Sequence, residues 1–260
     1  TQHEIPFEQI SLDPGQPISL EALDHKLSSQ EYSTLLINAH ETSTGMIYDI
    51  KAIGERTRKY GVFFVVDAIS TICADIFMMD EWHVDVSLLS SQKALALPPG
   101  LSFLALNKKA KLRLETKTCQ SYYFDIKAYL ANQERGQMPF TPVIGHFMML
   151  HERLREIRSH GIGFFVSHHS KLAEYFRKGL KDLPLSFLSN SPSNALTAIS
   201  CPKDIDAFDL VTRLADDYNC FVAPNGGDLK YRVFRVSHLG EQNETDIDFL
   251  INALEDILNN

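Results

Sequence analysis

The chain has 260 residues, 44% hydrophobic and 22% charged, an ordinary globular composition with enough length to bury a sizeable core. A formal net charge of -8 and a pI near 5.7 exclude a general nucleic-acid binder, because phosphate backbones reward basic patches. No apolar run approaches the roughly 20 residues that a membrane span needs.

At the N-terminus, Thr1-Gln2-His3-Glu4 has no basic stretch leading into an apolar one, so no signal peptide is expected there. The chain starts without methionine and enters a loop-like segment from Ile5 to Gly15, as a fragment or a trimmed chain would. Thr34 to Asn38 predicts a buried strand, and Asp49 caps a helix that runs to Arg58 and is stopped by Gly61. Val62 to Asp67 is the strongest strand signal, apolar on both faces as a central parallel strand requires. Val84 to Leu89 and Leu101 to Leu106 follow as strands, and the basic run Lys108, Lys109, Lys111, Arg113 reads as a solvated helix face. Strands alternating with helices imply an α/β layer with a mostly parallel sheet.

From Thr141 the pattern changes. A long helix is expected to Ser159, with Phe147, Leu150, Leu154 and Ile157 at helical spacing and Gly161 and Gly163 at its end. Val166 to Leu180 reads helical, Ala195 to Cys201 as a strand, Asp204 to Tyr218 helical, Tyr231 to Val236 as a strand and Thr245 to Leu258 as a final amphipathic helix. The expected organisation is a large domain over residues 1–160, including the long helix, and a small α+β domain over 161–260.

Four well-separated cysteines, Cys73, Cys119, Cys201 and Cys220, form no C-x-x-C pair and read as reduced, packed thiols of a cytoplasmic protein. His151-Glu152 opens like a zinc motif, but Arg155 stands where the second histidine belongs, so no metal site is expected.

In open parallel sheets, ligands gather at the carboxyl ends of strands. Three polar clusters stand at such ends: His40-Glu41-Thr42-Ser43-Thr44-Gly45, Asp67-Ala68-Ile69-Ser70 and Ser90-Ser91-Gln92-Lys93. Asp67 follows an apolar run and needs a cationic partner if ionised, unless it is a plain turn or cap aspartate. Lys93 precedes Ala-Leu-Ala-Leu-Pro-Pro-Gly, where poor solvation lowers an amine's pKa and makes it a nucleophile and base; alone, it would read as a surface lysine. The stretch from Asp67 to Lys93 is long enough for a helix and a strand, which would return both residues to one sheet edge. An amine for an aldehyde, an acid for a pyridine nitrogen and hydroxyl and amide donors for a phosphate are the requirements of pyridoxal phosphate.

These clusters resemble the class V aminotransferases of pyridoxal-phosphate fold type I, and within them the alanine/serine–glyoxylate and 2-aminoethylphosphonate–pyruvate branch. The resemblance extends through Ala94-Leu95-Ala96-Leu97-Pro98-Pro99-Gly100, Tyr123-Phe124-Asp125, Phe140-Thr141-Pro142 and Phe234-Arg235-Val236-Ser237-His238-Leu239-Gly240, nearly the whole chain. It implies that Lys93 holds the cofactor as a Schiff base and moves the substrate proton, and that Asp67 pairs with the pyridinium. It further implies that Thr42 hydrogen-bonds the cofactor, that Gln92 reaches its phosphate and that Thr141 reaches the phosphate of a neighbouring subunit. Arg235 would grip the substrate carboxylate through its guanidinium fork. The implied protein is a homodimer acting on an amino donor and a 2-oxo acid such as glyoxylate or pyruvate, with no nucleic-acid or membrane partner.

The sequence also departs from the family pattern. Relatives carry a further N-terminal portion with a glycine-rich phosphate loop and a ring-stacking aromatic, so the large domain is expected to be incomplete here. Met138 aligns with a position where relatives often carry a phosphate-binding tyrosine. Two other readings remain. Desulfurases and lyases share the fold, but desulfurases place a histidine before the lysine and a cysteine on a mobile loop, whereas Gln92 precedes Lys93 here and no cysteine sits in a Gly/Ser-rich loop. A chain without the phosphate loop could also serve as a non-catalytic dimerisation remnant.

Overall fold

The computed structural model describes residues 5–259; residues 1–4, on which the expectation about a signal peptide rested, lie outside the described residues. The first sheet contains β1 (Thr34–Asn38), β4 (Phe63–Asp67), β5 (Val86–Ser90) and β6 (Ser102–Leu106) in that spatial order. β1 is parallel to β4 and β4 to β5, while β6 returns antiparallel to β5, so the sheet is mostly parallel, as in fold type I. Phe64 and Val66 on one face of β4 are fully buried and Phe63 on the other is 8% exposed, as expected of a strand apolar on both faces. β1 is less buried than expected, because it lies at the end of the strand order and leaves Leu36 73% exposed.

The link from β1 to β4 passes through a hairpin of β2 (His40–Glu41) and β3 (Met46–Ile47), then through α2 (Ile50–Lys59). Asp49 accepts a hydrogen bond from the Ala52 amide at 2.9 Å, and Gly61 at φ +70° ends the segment, as the cap and stop residues predict. α1 (Leu20–Ser28), capped by Ser19, packs on α2. The link from β4 to β5 carries turns where a helix was expected. Cys73 and His83, at φ +66° and +58°, are incompatible with helix at both ends of that stretch. Asp85, 3% exposed, fixes the return by accepting from the Phe64 amide and Asn107 Nδ2, both at 2.8 Å, and from Lys109 Nζ at 3.0 Å.

The basic run forms α3 (Lys108–Glu115), in which only Ala110 is buried, and α4 (Ile126–Gln133) follows. The long helix, α5 (Ile144–His160), starts three residues later than expected. Pro142 keeps Thr141 out of the helical region, and Val143 takes the cap position without a side-chain hydrogen bond. Its apolar stripe is only partly covered: Ile157 packs against the cluster around Phe165, while Phe147 is 36% and Leu154 50% exposed. Gly161, at φ +79°, makes the corner into α6 (Ile162–Gly179), which begins four residues earlier than predicted.

The second sheet is antiparallel, in the order β7 (Ser186–Phe187), β8 (Leu196–Ser200), β10 (Val233–Ser237), β9 (Ala223–Pro224). With α6, α7 (Ala207–Tyr218) and α8 (Glu244–Asn259) it encloses a core that includes Phe176, Ile199, Leu214, Phe234 and Leu254. Among the described residues no helix is long and apolar enough to cross a membrane. All four cysteines are free; Cys73 is buried as expected, but Cys119 is exposed.

Buried polar groups join the two sheets. Asp75 accepts hydrogen bonds from the Ser193 hydroxyl and, at 3.0 Å, from the Asn194 amide. His169 Nδ1 donates to the carbonyls of Phe165 and Cys73 at 2.8 and 3.0 Å. Arg177 donates through Nε to Thr197 Oγ1 at 3.0 Å, and the same hydroxyl meets Nε2 of fully buried His238 at 2.8 Å. Burial, with the nearby charges of Arg177 and His169, pushes the His238 pKa down to about 3.

Two outcomes follow from this packing. A Cβ on Gly54 of α2 would stand 1.8 Å from the Trp82 carbonyl oxygen. Gly54→Ala, which in an open helix adds up to about 1 kcal/mol, should here cost about 1–3 kcal/mol in urea unfolding. For His238 the folded pKa lies below the unfolded value of about 6.5, so the unfolded chain binds more protons as pH falls. Stability should be complete above about pH 6.5 and decline toward pH 3, with this residue alone accounting for about 2 kcal/mol at pH 5. The gap between urea midpoints at pH 7.5 and pH 5 should narrow in His238→Gln, which keeps the contact with Thr197.

Candidate active site

The parallel register brings three chain exits together. Asn38, the last residue of β1, pairs with Asp67, the last of β4, and Asp67 pairs with Leu88 of β5. The predicted clusters therefore leave the sheet at one edge, where backbone groups pass from strand pairing to turns.

The first cluster forms the β2–β3 hairpin, with His40 opposite Ile47 and Glu41 opposite Met46. Glu41 locks its turn. Oε1 accepts from the Ser43 amide at 2.9 Å and its hydroxyl at 2.7 Å, and Oε2 accepts from Asn38 Nδ2 at 2.9 Å. Burial alone would raise the Glu41 pKa, but these hydrogen bonds outweigh it and hold the pKa below the usual carboxylate value. Thr42, partly buried, sits at the tip beside this carboxylate. Gly45 closes the turn at φ +70°, in the left-handed region that favours glycine, and a Cβ there would stand 3.0 Å from the Ala198 amide nitrogen.

Asp67 is partly buried, and its Oδ1 accepts from the Ile69 amide at 2.9 Å. Among the described residues no lysine, arginine or histidine is within ion-pair distance of Asp67 to act as the cationic partner expected from sequence. Ser70, from the same turn, meets Nδ1 of His40 at 2.9 Å. His40 is 3% exposed. Burial lowers its pKa to about 4, with the Lys93 charge acting in the same direction and Glu41 against it.

Lys93 opens the loop between β5 and β6, and fully buried Ser91 staples that loop. Its hydroxyl donates to the Pro98 carbonyl at 2.8 Å and accepts from the Leu101 amide at 3.2 Å, while its own carbonyl accepts from the Leu97 amide at 3.1 Å. The Lys93 carbonyl accepts from the amide of Ala96 at 2.8 Å, and Ala96 takes φ +54°. Ala94 and Leu95 are buried, which leaves the partly buried Lys93 side chain at the strand-end edge, with no hydrogen-bond or ion-pair partner among the described residues. Gln92 is exposed, and its Oε1 accepts from the Ser90 hydroxyl.

Arg235 arrives from the second sheet. Nη2 donates to the Pro224 carbonyl at 2.7 Å, and Nη1 lies 3.5 Å from the Thr42 carbonyl; Nε is buried without a partner. Burial lowers the Arg235 pKa, opposed by the charge of Glu41. Beside it, Asn225 donates from Nδ2 to the Ser43 carbonyl at 2.7 Å. A groove of about 790 Å³ lies next to Arg235, bordered by Phe221, Gln242, Asp246 and Phe249.

Thr141 stands apart. It is exposed ahead of α5, and no hydrogen bond or ion pair joins it to the other candidates among the described residues. Near it, Phe140 stacks on Tyr123 with centroids 4.9 Å apart, and Asp125 caps α4. Met138 is 41% exposed.

Sequence reasoning placed His40, Glu41 and Ser70 within the strand-end clusters but gave them no part. Their pairing is long-range and leaves no local signature. Asn38 reads only as the end of a strand and Asn225 is not singled out, although both fix the hairpin.

A family model described as aminotransferase class-V matches residues 2–227. The serine–glyoxylate aminotransferase of Arabidopsis thaliana is 34% identical over 260 residues, covering 96% of this chain and 64% of that protein. A protein of Synechococcus sp. described as the small subunit of a soluble hydrogenase is 31% identical over 257 residues, covering 96% of this chain and 67% of its own length. Among solved structures, an alanine–glyoxylate aminotransferase from Nostoc sp. matches with a TM-score of 0.88 at 28% identity, over 94% of this chain and 66% of that one. The chain thus spans about two thirds of the length of these relatives. With a mostly parallel sheet and strand-end clusters in the order the family motifs require, the chain belongs to the class V aminotransferases.

Proposed function

We propose that this chain carries the catalytic lysine of a pyridoxal-phosphate-dependent aminotransferase that moves an amino group between an amino acid or small amine and a 2-oxo acid such as glyoxylate or pyruvate. The observation that carries this reading is that Asp67 closes β4 and Lys93 follows β5 at the same sheet edge, neither with an ion-pair partner among the described residues, with the Arg235 guanidinium brought to the adjoining hairpin. A partly buried acid and a partly buried amine without a counter-charge among the described residues fit a ligand that has both a basic ring nitrogen and an aldehyde.

Pyridoxal phosphate, when bound, supplies an aldehyde that receives the amino group and a ring that takes up electrons as the substrate Cα–H bond breaks. Asp67, held by the Ile69 amide, would keep the proton on the ring nitrogen. Lys93 would bind at the aldehyde carbon and then carry the proton to and from the substrate Cα. The Thr42 hydroxyl would orient the ring, the Gln92 amide would donate to the phosphate, and Thr141 would reach the phosphate of a second subunit, in keeping with its distance from this chain's own cluster. Arg235 would present the N–H groups not given to Pro224 and Thr42, including the unpartnered Nε, to the substrate carboxylate. A homodimer, a cytoplasmic location supported by four free thiols, and a division at residue 160, where Gly161 turns α5 into α6, complete the proposal.

Purified chain mixed with pyridoxal phosphate should develop a visible absorbance band that Lys93→Ala abolishes. A band that survives the substitution would move the attachment to another lysine. Arg235→Ala should raise KM for 2-oxo acids by about 10–100-fold, the worth of a charged hydrogen-bond pair, and unchanged steady-state kinetics would remove the arginine from the substrate site.

A further inference from the structure

The guanidinium of Arg235 is oriented chiefly by one main-chain oxygen. The Pro224 carbonyl accepts from Nη2 at 2.7 Å, while the contact from Nη1 to the Thr42 carbonyl is long, at 3.5 Å. The strand that carries the Pro224 oxygen is weakly held. β9 has two residues and lies at the end of the strand order, and Pro224 has no N–H to give to the ladder with β10. Gly226 and Gly227 follow in open space, with the widest backbone freedom a chain can have. Left to the ladder alone, this end of β9 would fray.

Asn225 stands between that oxygen and the glycines. It is 9% exposed, and both ends of its amide are engaged: Nδ2 donates to the Ser43 carbonyl at 2.7 Å, and Oδ1 accepts from the Gly226 amide at 3.0 Å. The two contacts agree on the amide's orientation, since only the nitrogen can serve a carbonyl and only the oxygen an N–H. Ser43 in turn belongs to a firm hairpin, its amide and hydroxyl both held by Glu41. A closed circuit results, from Arg235 to Pro224, along the chain to Asn225, across to Ser43, back to Thr42 and on to Arg235. We propose that Asn225 is a positioning residue for Arg235: by tying the end of β9 to the Ser43 carbonyl it fixes the Pro224 oxygen, and with it the direction in which the guanidinium offers its remaining N–H groups to a substrate carboxylate. A planar fork binds a carboxylate best when its plane is set beforehand. Asn225 acts only through the arginine. The inference deepens the reading of Arg235 as the carboxylate grip and rests on it.

Two substitutions test it. Asn225→Asp is nearly isosteric; it keeps the acceptor for the Gly226 amide but turns an oxygen toward the Ser43 carbonyl in place of the donor. Asn225→Ala removes both contacts. Modification of arginines by phenylglyoxal, followed by peptide mass spectrometry, reads the freedom of the guanidinium without needing turnover. Arg153 and Arg177, hydrogen-bonded elsewhere in the same chain, serve as internal reference. Arg235 should be modified about fivefold faster or more in either variant, the scale of one hydrogen bond, with both reference arginines at their parental rates. A parental rate at Arg235 in either variant, or an equal gain at all three arginines, overturns the assignment and leaves Asn225 a packing residue.

Hydrogen exchange in the unsubstituted chain is a second measurement, which stands even if neither variant folds. The side-chain amide hydrogens of Asn225 should exchange with deuterated water about tenfold slower or more than those of exposed Asn243; equal rates would overturn the proposal. With pyridoxal phosphate bound, both variants should raise KM for glyoxylate about fivefold while kcat stays within about twofold of the parent, and a fall in kcat at unchanged KM would count against a role at the carboxylate grip. The two readings fail separately. No absorbance band with pyridoxal phosphate, alongside faster modification of Arg235 in the variants, discards the aminotransferase chemistry and keeps the Asn225 tie. A normal band and turnover, with parental KM and parental arginine rates in the variants, does the reverse.

Discussion

Parallel pairing of β1, β4 and β5 is the constraint on which the rest of the structure depends. Strands that run the same way release their following segments at the same edge, so three sequence-distant clusters must meet there. The register is held by burial. Phe64 and Val66 fill one face of β4 and Phe63 the other, and a slip of one residue would exchange every side chain between faces. Asp85 adds a directional lock at the opposite end of the same strands, satisfying the Phe64 amide from a buried carboxylate. The position of Asp67 is thus decided by apolar packing several residues before it.

At the strand-end edge, among the described residues, the Asp67 carboxylate and the Lys93 amine lack a counter-charge, and Arg235 Nε and His40 Nε2 lack a hydrogen bond. In the joint between the sheets, Asp75, Ser193, Thr197 and Arg177 find partners, while His169 Nε2 and His238 Nδ1 do not. Such groups reduce folding stability. The tightly stapled Ser91 loop and the Glu41 turn supply the compensating rigidity.

Elements specified by local chemistry were legible in the sequence. Asp49 and Gly61 bracket α2, and the unbroken apolar run of β4 identifies a central strand. Elements that depend on distant contacts were less so. The turns between β4 and β5 looked like room for a helix because nothing in the sequence announces positive φ at Cys73 and His83. Phe147, Leu150, Leu154 and Ile157 were legible as a helical stripe, yet periodicity reports an apolar face and not what covers it. In the candidate site, Asp67 and Lys93 were visible as strand-end residues. Arg235 entered only through family resemblance, since an arginine in mid-strand carries no local sign that it will reach Thr42. Asn225 gave no sign at all, because its contact with the Ser43 carbonyl spans most of the chain.

The joint between the second sheet and the hairpin is made largely to main-chain atoms. Arg235 approaches the Thr42 carbonyl, Asn225 donates to the Ser43 carbonyl, and the Ser193 amide donates to the Gly45 carbonyl at 2.9 Å. Carbonyl oxygens are present whatever residue occupies the position, so this joint is indifferent to the side chains at 42 and 43. A lineage could therefore exchange the groups that face the ligand there, and with them the preference among substrates, without loosening the attachment that delivers Arg235. The hairpin divides the two tasks: its carbonyls hold the second sheet and Glu41 fixes its turn, which leaves the side chain at position 42 free to vary.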